Sequence, residues 1–79
     1  MELLSTKADV GALIASKRAL RRMNQTEAAR RAGLGLTTVV AVEDGSGTND
    51  STMKLAMALG LSRDEICQVV KVLWPMGQL

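Results

Sequence analysis

Apolar residues recur at helical spacing along most of the chain. Ile66 with Val69, and Val70 with Leu73, fall at i, i+3, i+4 and i+7, which is the stripe of an amphipathic helix. The pattern predicts five helices in all, which run from Lys7 to about Arg22, from Gln25 to Ala32, from Leu36 to Asp44, from near Asp50 or Ser51 to a stop at Gly60, and from Ser62 to the break at Pro75. We therefore expect an all-α fold, a compact five-helix bundle.

Local signals mark where several of these helices begin and end. Thr6 with Asp9 and Ser62 with Glu65 have the spacing of capping boxes, in which two orphaned amides are satisfied reciprocally. Asn24 suits the N-cap position of the second helix. Gly33 supplies the left-handed residue that ends that helix.

The third segment, residues 36–42, is rich in β-branched residues and could also form a strand. We favour a helix, since Val39 and Val42 lie three residues apart on one helical face and every neighbouring segment is helical by pattern.

The composition excludes several function classes. Cys67 is the single cysteine and there is no histidine, so no internal disulfide or Cys/His nucleophile is possible. No serine–histidine–aspartate or paired-carboxylate arrangement is present, so we expect neither an enzyme nor a cofactor, metal or small-molecule site. No apolar run approaches the length of a membrane span, and we expect a cytoplasmic location.

Charge is distributed unevenly along the chain. Residues 1–34 carry seven basic and three acidic side chains, a net charge of +4, whereas the remaining residues carry a net charge of −2. A basic end on a nearly neutral chain suits a polyanionic partner, although solvated helix faces account for many such clusters.

The second and third predicted helices are joined by a short turn that contains Gly33 and Gly35. Two short helices joined in this way form the DNA-binding helix-turn-helix, whose second helix enters the major groove. Ala28, Ala29 and Ala32 supply the small residues that such closely packed helices need.

The chain resembles the phage repressor and Cro-type helix-turn-helix regulators from about Val10 to Ile66. The supporting residues, in order, are Val10-Gly11, Ile14, Arg18, Met23-Asn24-Gln25, Ala29, Gly33-Leu34, Val39, Val42, Glu43, Gly45, Leu55-Ala56, Leu59-Gly60 and Leu61-Ser62. The resemblance implies a bundle of the lambda-repressor-like type that binds double-stranded DNA and acts near the nucleoid.

The resemblance also implies roles for individual residues. Gln25, with Asn24 beside it, matches a phosphate-contacting glutamine, and Arg18 with Glu43 matches an internal ion pair. The positions that face base edges are occupied by Leu36, Thr37, Val40 and Ala41, and Thr38 lies near a flanking phosphate. We expect Arg21 and Arg22 to add positive charge at the DNA backbone.

The chain also departs from the family pattern. Lys17 stands where an apolar residue is usual, and Asp44 stands where its charge would repel phosphate. The loop after Gly45 is about two residues short. The third helix lacks the arginine, lysine, glutamine and asparagine side chains that make bidentate base contacts. Readout would therefore depend on apolar contacts and DNA shape.

These features leave a second function open, in which the apolar third helix docks on a partner protein and reads little or no DNA.

We expect residues 1–5 to be a loose arm, residues 6–74 to be the helix-turn-helix domain and residues 75–79 to be a tail. We also expect a homodimer. Its contacts would be the apolar residues that lie outside the apolar stripe of the fifth helix, namely Val72, Trp74, Met76 and Leu79. The alternative is that Trp74 folds back onto its own domain.

Overall fold

The computed structural model describes residues 4–75 and arranges them as five helices. They are α1 (Lys7–Leu20), α2 (Gln25–Ala32), α3 (Leu36–Asp44), α4 (Asn49–Ala58) and α5 (Arg63–Leu73). Within this part of the chain there is no strand, so the predicted all-α five-helix fold is confirmed.

Side-chain caps fix the start of three helices as the sequence predicts. The Asp9 N–H donates to Thr6 Oγ1, and the Asp9 carboxylate accepts from the backbone N–H of Thr6, which completes a capping box at α1. The other two predicted caps are also present, with Ser62 and Glu65 at α5 and Asn24 at α2.

The first helix ends at Leu20, two residues earlier than predicted. Arg22 adopts a left-handed conformation with φ of 56°, and the Met23 N–H returns to the Arg18 carbonyl at 3.1 Å. This is the hydrogen bond that closes a helix C-terminus when a left-handed residue follows it, a position usually held by glycine. The basic residues at the end of α1 thus form its turn into α2 and not a further helical turn.

The fourth helix begins at Asn49, one residue before the predicted range. The Thr48 hydroxyl accepts a hydrogen bond from the Ser51 N–H at 3.1 Å and so acts as the N-cap. The Asn49 side chain donates to the Leu73 carbonyl at 2.9 Å, which ties the start of α4 to the end of α5.

The core lies between α1, α2, α3 and α4, with α5 closing one side. Val39 and Val42 of α3 are fully buried, which is what the helical interpretation of the β-branched segment requires. The core also contains Val10, Ile14, Ala28, Ala29, Leu55, Ala56, Leu59, Leu61, Val69 and Leu73.

Close approach of α1 to α3 depends on Gly11. A Cβ at this position would lie 2.4 Å from the Glu43 carbonyl oxygen and 2.6 Å from that of Val42. Only a residue without a side chain allows these two backbones to touch, so Gly11 determines how closely α1 and α3 pack.

The inward face of α5 is rotated relative to the predicted stripe. Val69 and Leu73 are buried as expected, but Val70 is 38% exposed and Val72 packs partly against the core. The face is centred on Val69 because the charged residue Glu65 is also buried, at 2% exposure. Val72, predicted as a dimer contact, is therefore packed against its own domain.

Lys17 of α1 is the reason that a carboxylate can be buried on α5. Its Nζ lies 2.8 Å from Glu65 Oε2, while Glu65 Oε1 accepts the Ser62 N–H at 2.8 Å. Buried charges persist when they are paired and hydrogen-bonded, and both conditions are met here. Lys17 stands where the resemblance implies an apolar residue, and its charge is paired with Glu65 on the facing helix.

This pair should make stability fall at acidic pH. The hydrogen bond from Lys17, followed by that from the Ser62 N–H, holds the pKa of Glu65 below its ordinary value of 4.5. Its stabilising contribution is therefore present above about pH 4.5 and is lost as the pH falls through the lower pKa of the folded state. We expect Glu65→Gln to lower the Tm at pH 7, and we expect its difference from wild type to be smaller at pH 3, as measured by thermal melts.

A matched control removes an exposed carboxylate from the same helix. Asp64→Asn should differ from wild type much less than Glu65→Gln does at pH 7, since Asp64 has no ion pair within the described residues and loses its attraction to the first turn of α5 alone. A gap between Glu65→Gln and wild type that is the same at both pH values would contradict the assignment.

The start of the described chain is attached to α5. Leu4, within the segment predicted to be loose, packs partly against the core, and its N–H donates to the Gln68 side chain at 3.1 Å. The predicted dimer contacts Met76 and Leu79 lie outside the described residues.

Candidate nucleic-acid interface

The start of α2 leaves backbone donors facing outward. The Asn24 side chain accepts the Glu27 N–H at 2.8 Å, and the Asn24 carbonyl accepts the Ala28 N–H at 3.1 Å. The first two amides of the helix, those of Gln25 and Thr26, have no acceptor within the helix by its geometry. Together with the partial positive charge of the helix terminus they form a surface that favours an anion.

The turn from α2 to α3 is short and well satisfied. Gly33 is left-handed with φ of 70°, and the Leu34 N–H donates to the Ala29 carbonyl at 2.9 Å. Leu34 then packs partly against the core, and Gly35 leads into α3 without a side-chain cap. The two helices are thereby joined as a helix-turn-helix, with the buried Ala28 and Ala29 on the inner face of α2.

One carboxylate connects the first three helices. Arg18 of α1 donates to Glu43 of α3 through Nε at 2.7 Å and through Nη2 at 3.2 Å, so the ion pair expected from the sequence is present. Gln25 of α2 also donates to Glu43, from Nε2 to Oε1 at 3.0 Å. The Arg18 Nη1 donates to the Met23 carbonyl at 2.9 Å, which attaches the turn before α2 to the same group.

The hydrogen bond from Gln25 to Glu43 has no signal in the sequence. It joins residues on different helices, and Gln25 was singled out only as a phosphate contact. One amide hydrogen of Gln25 is engaged by Glu43, and the other remains to donate to an incoming group. The side chain is thus held in place at the point where the outward amides of α2 lie.

The outer face of α3 is apolar and in solvent. Leu36 is 48% exposed and Val40 is 38% exposed, and Thr37 between them is exposed as well. Two further residues predicted to meet DNA, Thr38 and Ala41, are half-buried at the flanks of this face. We refer to the exposed residues Leu36, Thr37 and Val40 as the α3 face.

Exposed basic side chains lie before the start of α2 and in its last turn. Arg21 and Arg22 are exposed in the turn between α1 and α2, next to the outward amides of α2 in sequence. Arg31 is exposed on α2, and Arg30 lies 3.1 Å from Glu27 in a surface ion pair. Asp44 is exposed at the end of α3, where it places negative charge near the same surface.

Other kinds of site find no support in the described part of the chain. Residues 4–75 contain no cluster of three or more histidine, cysteine, aspartate or glutamate side chains that could hold a metal ion. The five described helices include none with the length and apolar character required to cross a membrane.

Neither the family models nor the curated protein sequences give a match to this chain. What the chain does must therefore be inferred from its own residues and their arrangement.

Proposed function

We propose that the chain is a sequence-specific regulator of transcription, of the repressor or Cro type, that binds double-stranded DNA in the cytoplasm. The observation that carries the proposal is the α2–turn–α3 unit. Hydrogen bonds to Glu43 hold α3 against α1 and α2, while Leu36, Thr37 and Val40 remain in solvent. A rigid helix with an accessible outer face is what the major groove can admit.

In this proposal the two helices have different tasks. The outward amides of α2 and the held side chain of Gln25 bind a backbone phosphate, while Arg21 and Arg22 add charge beside it. The α3 face then lies on the base edges. Its two aliphatic side chains can contact thymine methyl groups, and the Thr37 hydroxyl can exchange one hydrogen bond.

The same α3 face supports a second function. An exposed apolar surface without charged or amide side chains is also typical of a site that docks on another protein. The two functions differ in their electrostatics, because DNA binding releases counterions and docking on an apolar protein surface does not.

A salt titration therefore separates them. Binding of the full chain to labelled random duplex DNA is measured by fluorescence anisotropy at increasing salt. DNA binding predicts that log K falls linearly with log salt, by about 0.9 for each phosphate neutralised. Affinity for random duplex that is absent at low salt, or that does not change with salt, would favour the protein-docking function.

A second test uses Arg22→Gly, which suits the left-handed backbone at this position. Because glycine adopts a φ of 56° without strain, we expect the variant to be more stable than wild type by about 1 kcal/mol. We expect it nevertheless to bind all duplex sequences more weakly and to lower the salt slope by about one. A loss of binding in a more stabilised protein cannot be attributed to unfolding, and unchanged binding would remove Arg22 from the interface.

Substitutions on the α3 face should instead change specificity. On a duplex obtained by selection, Thr37→Ala should relax the preference at one base position, at a cost of about 1 kcal/mol. Val40→Ala should lose discrimination between thymine and uracil. If both variants keep wild-type specificity, α3 does not read the groove and the docking function should replace the present proposal.

The proposal includes a homodimer, because a two-fold pair of domains can read two half-sites about one helical turn apart.

A further inference from the structure

The α3 face carries aliphatic side chains that the core does not use. Leu36 and Val40 are 48% and 38% exposed, whereas the inward side of α3 is supplied by the buried residues Val39 and Val42. Valine has a lower helix propensity than alanine, so a solvent-facing valine slightly weakens a helix of nine residues. Val40 therefore serves neither the core nor the helix, and its side chain is free to make a contact outside the chain.

The two aliphatic side chains are held at a fixed spacing. Leu36 and Val40 are four residues apart on α3, so they share one face and lie about 6 Å apart along the helix axis. Val40 is β-branched, and in a helix such a side chain is restricted largely to one χ1 rotamer. The hydrogen bonds to Glu43 hold α3 itself against α1 and α2. The α3 face thus presents two preformed aliphatic contacts.

The same face lacks the groups that read most features of a base edge. Residues 36–42 include no charged or amide side chain, so they make no bidentate hydrogen bonds to guanine or adenine. The Thr37 hydroxyl can donate or accept a hydrogen bond and therefore tolerates either kind of edge. The feature of the major groove that complements an aliphatic side chain is the C5-methyl group of thymine. A 5-methylcytosine base carries a methyl group at the same ring position.

We propose that the α3 face recognises C5-methyl groups as such, so that 5-methylcytosine can replace thymine at the positions that Leu36 and Val40 contact. This inference rests on the proposed function, because it names the class of DNA that the same site binds. Base pairs are stacked about 3.4 Å apart, so the spacing of the two side chains corresponds to methyl groups on base pairs about two steps apart. The ligand is thus duplex DNA with two methyl-bearing pyrimidines at that spacing.

The test measures the affinity of the full chain for a duplex obtained by selection from random DNA. Each thymine of this duplex is replaced in turn by uracil, by 5-methylcytosine and by cytosine, the last two opposite guanine. Loss of one buried methyl group should weaken binding about fourfold. At each of the two contacted positions, uracil should therefore bind about fourfold more weakly than thymine, and cytosine about fourfold more weakly than 5-methylcytosine.

Variants of the protein assign each methyl effect to a side chain. The effect should disappear at one position in Leu36→Ala, and in Val40→Ala at a second position about two base pairs away. Val70→Ala is the matched control and should keep both effects, because Val70 is also 38% exposed and lies on the solvent side of α5, as the exposed Trp74 does. The readout is the ratio of two affinities measured with one variant, so a change in stability or in overall affinity does not alter it.

The outcomes separate this inference from the proposed function. Salt-dependent binding to random duplex together with equal affinities for cytosine and 5-methylcytosine would overturn the inference and leave DNA binding in place. So would a methyl effect that persists in both Leu36→Ala and Val40→Ala, or a selected duplex without thymine. Absence of salt-dependent binding to any duplex would overturn the inference and the proposed function together.

Discussion

Gly11→Ala is expected to lower the free energy of unfolding by about 3 kcal/mol or more and to lower the Tm accordingly. The added methyl group would lie 2.4 Å from the Glu43 carbonyl oxygen and 2.8 Å from the Glu43 carbonyl carbon. Both atoms are backbone, so no side-chain rotation relieves the contact and α1 must move away from α3. Overpacking of this kind typically costs about 1–3 kcal/mol and more when the backbone is forced to shift.

The movement would also loosen the core on both sides of the contact. Val10 and Ile14 of α1 and Val39 of α3 are fully buried and would lose part of their packing together. A domain of this length has a total stability of only about 4–12 kcal/mol, so the loss is a large fraction of it. Urea unfolding followed by circular dichroism measures the difference.

Gly35→Ala is the matched control for this prediction. A Cβ at Gly35 would meet no atom closer than Thr38 Oγ1 at 4.0 Å, and its φ of −78° suits alanine. We expect a change within about 1 kcal/mol, because alanine is only a poorer N-cap than glycine. Equal destabilisation by the two substitutions would show that the distance between α1 and α3 is not the cause.

Helix boundaries could be predicted from this sequence because their causes are local. Each N-cap side chain binds an amide three residues further on, as Thr6, Asn24 and Ser62 do, and Gly33 needs only its own backbone to turn. The end of α1 was misplaced by two residues, and α4 ends at Ala58, before the predicted stop at Gly60. After α1, Arg22 adopts the left-handed conformation that usually requires glycine, and a sequence pattern gives no warning of it.

The inward face of α5 could not be predicted correctly, since its cause is not local. The predicted apolar stripe did not include Glu65, but Glu65 is buried and paired with Lys17 of α1. Burying Glu65 rotates Val70 outward and Val72 inward. The ion pair that determines the face joins two residues far apart in the chain, and no periodicity within α5 contains it.

The candidate interface shows the same division. Helical periodicity places Val39 and Val42 inward, which is what the structure has, whereas the outward positions of the α3 face were implied by the resemblance. The Arg18–Glu43 pair was reached through resemblance and not through spacing. The hydrogen bond from Gln25 to Glu43 was not foreseen, because it depends on how α2 is seated against α3.

Glu43→Ala is expected to cost about 3 kcal/mol, comparable to the loss of the Gly11 contact. The substitution leaves the Arg18 guanidinium without its two hydrogen bonds to the carboxylate and frees the Gln25 amide at the same time. Removing one partner of a buried pair typically costs about 3–5 kcal/mol, and partial exposure of Arg18 places this pair at the lower end. Thermal and urea unfolding measure the loss.

A double-mutant cycle tests whether the cost comes from the stranded charge. Arg18→Met and Glu43→Ala should each destabilise strongly, but the double variant should cost at least about 1 kcal/mol less than their sum, because no unpaired charge then remains. Lys54→Ala, which breaks the exposed pair with Asp50 at 3.3 Å, should change stability by less than about 0.5 kcal/mol. Additive losses in the Arg18 and Glu43 cycle would mean that the two side chains stabilise the fold independently. In that case Glu43 would not connect the three helices, and the rigidity of α3 on which the DNA-binding proposal depends would need another source.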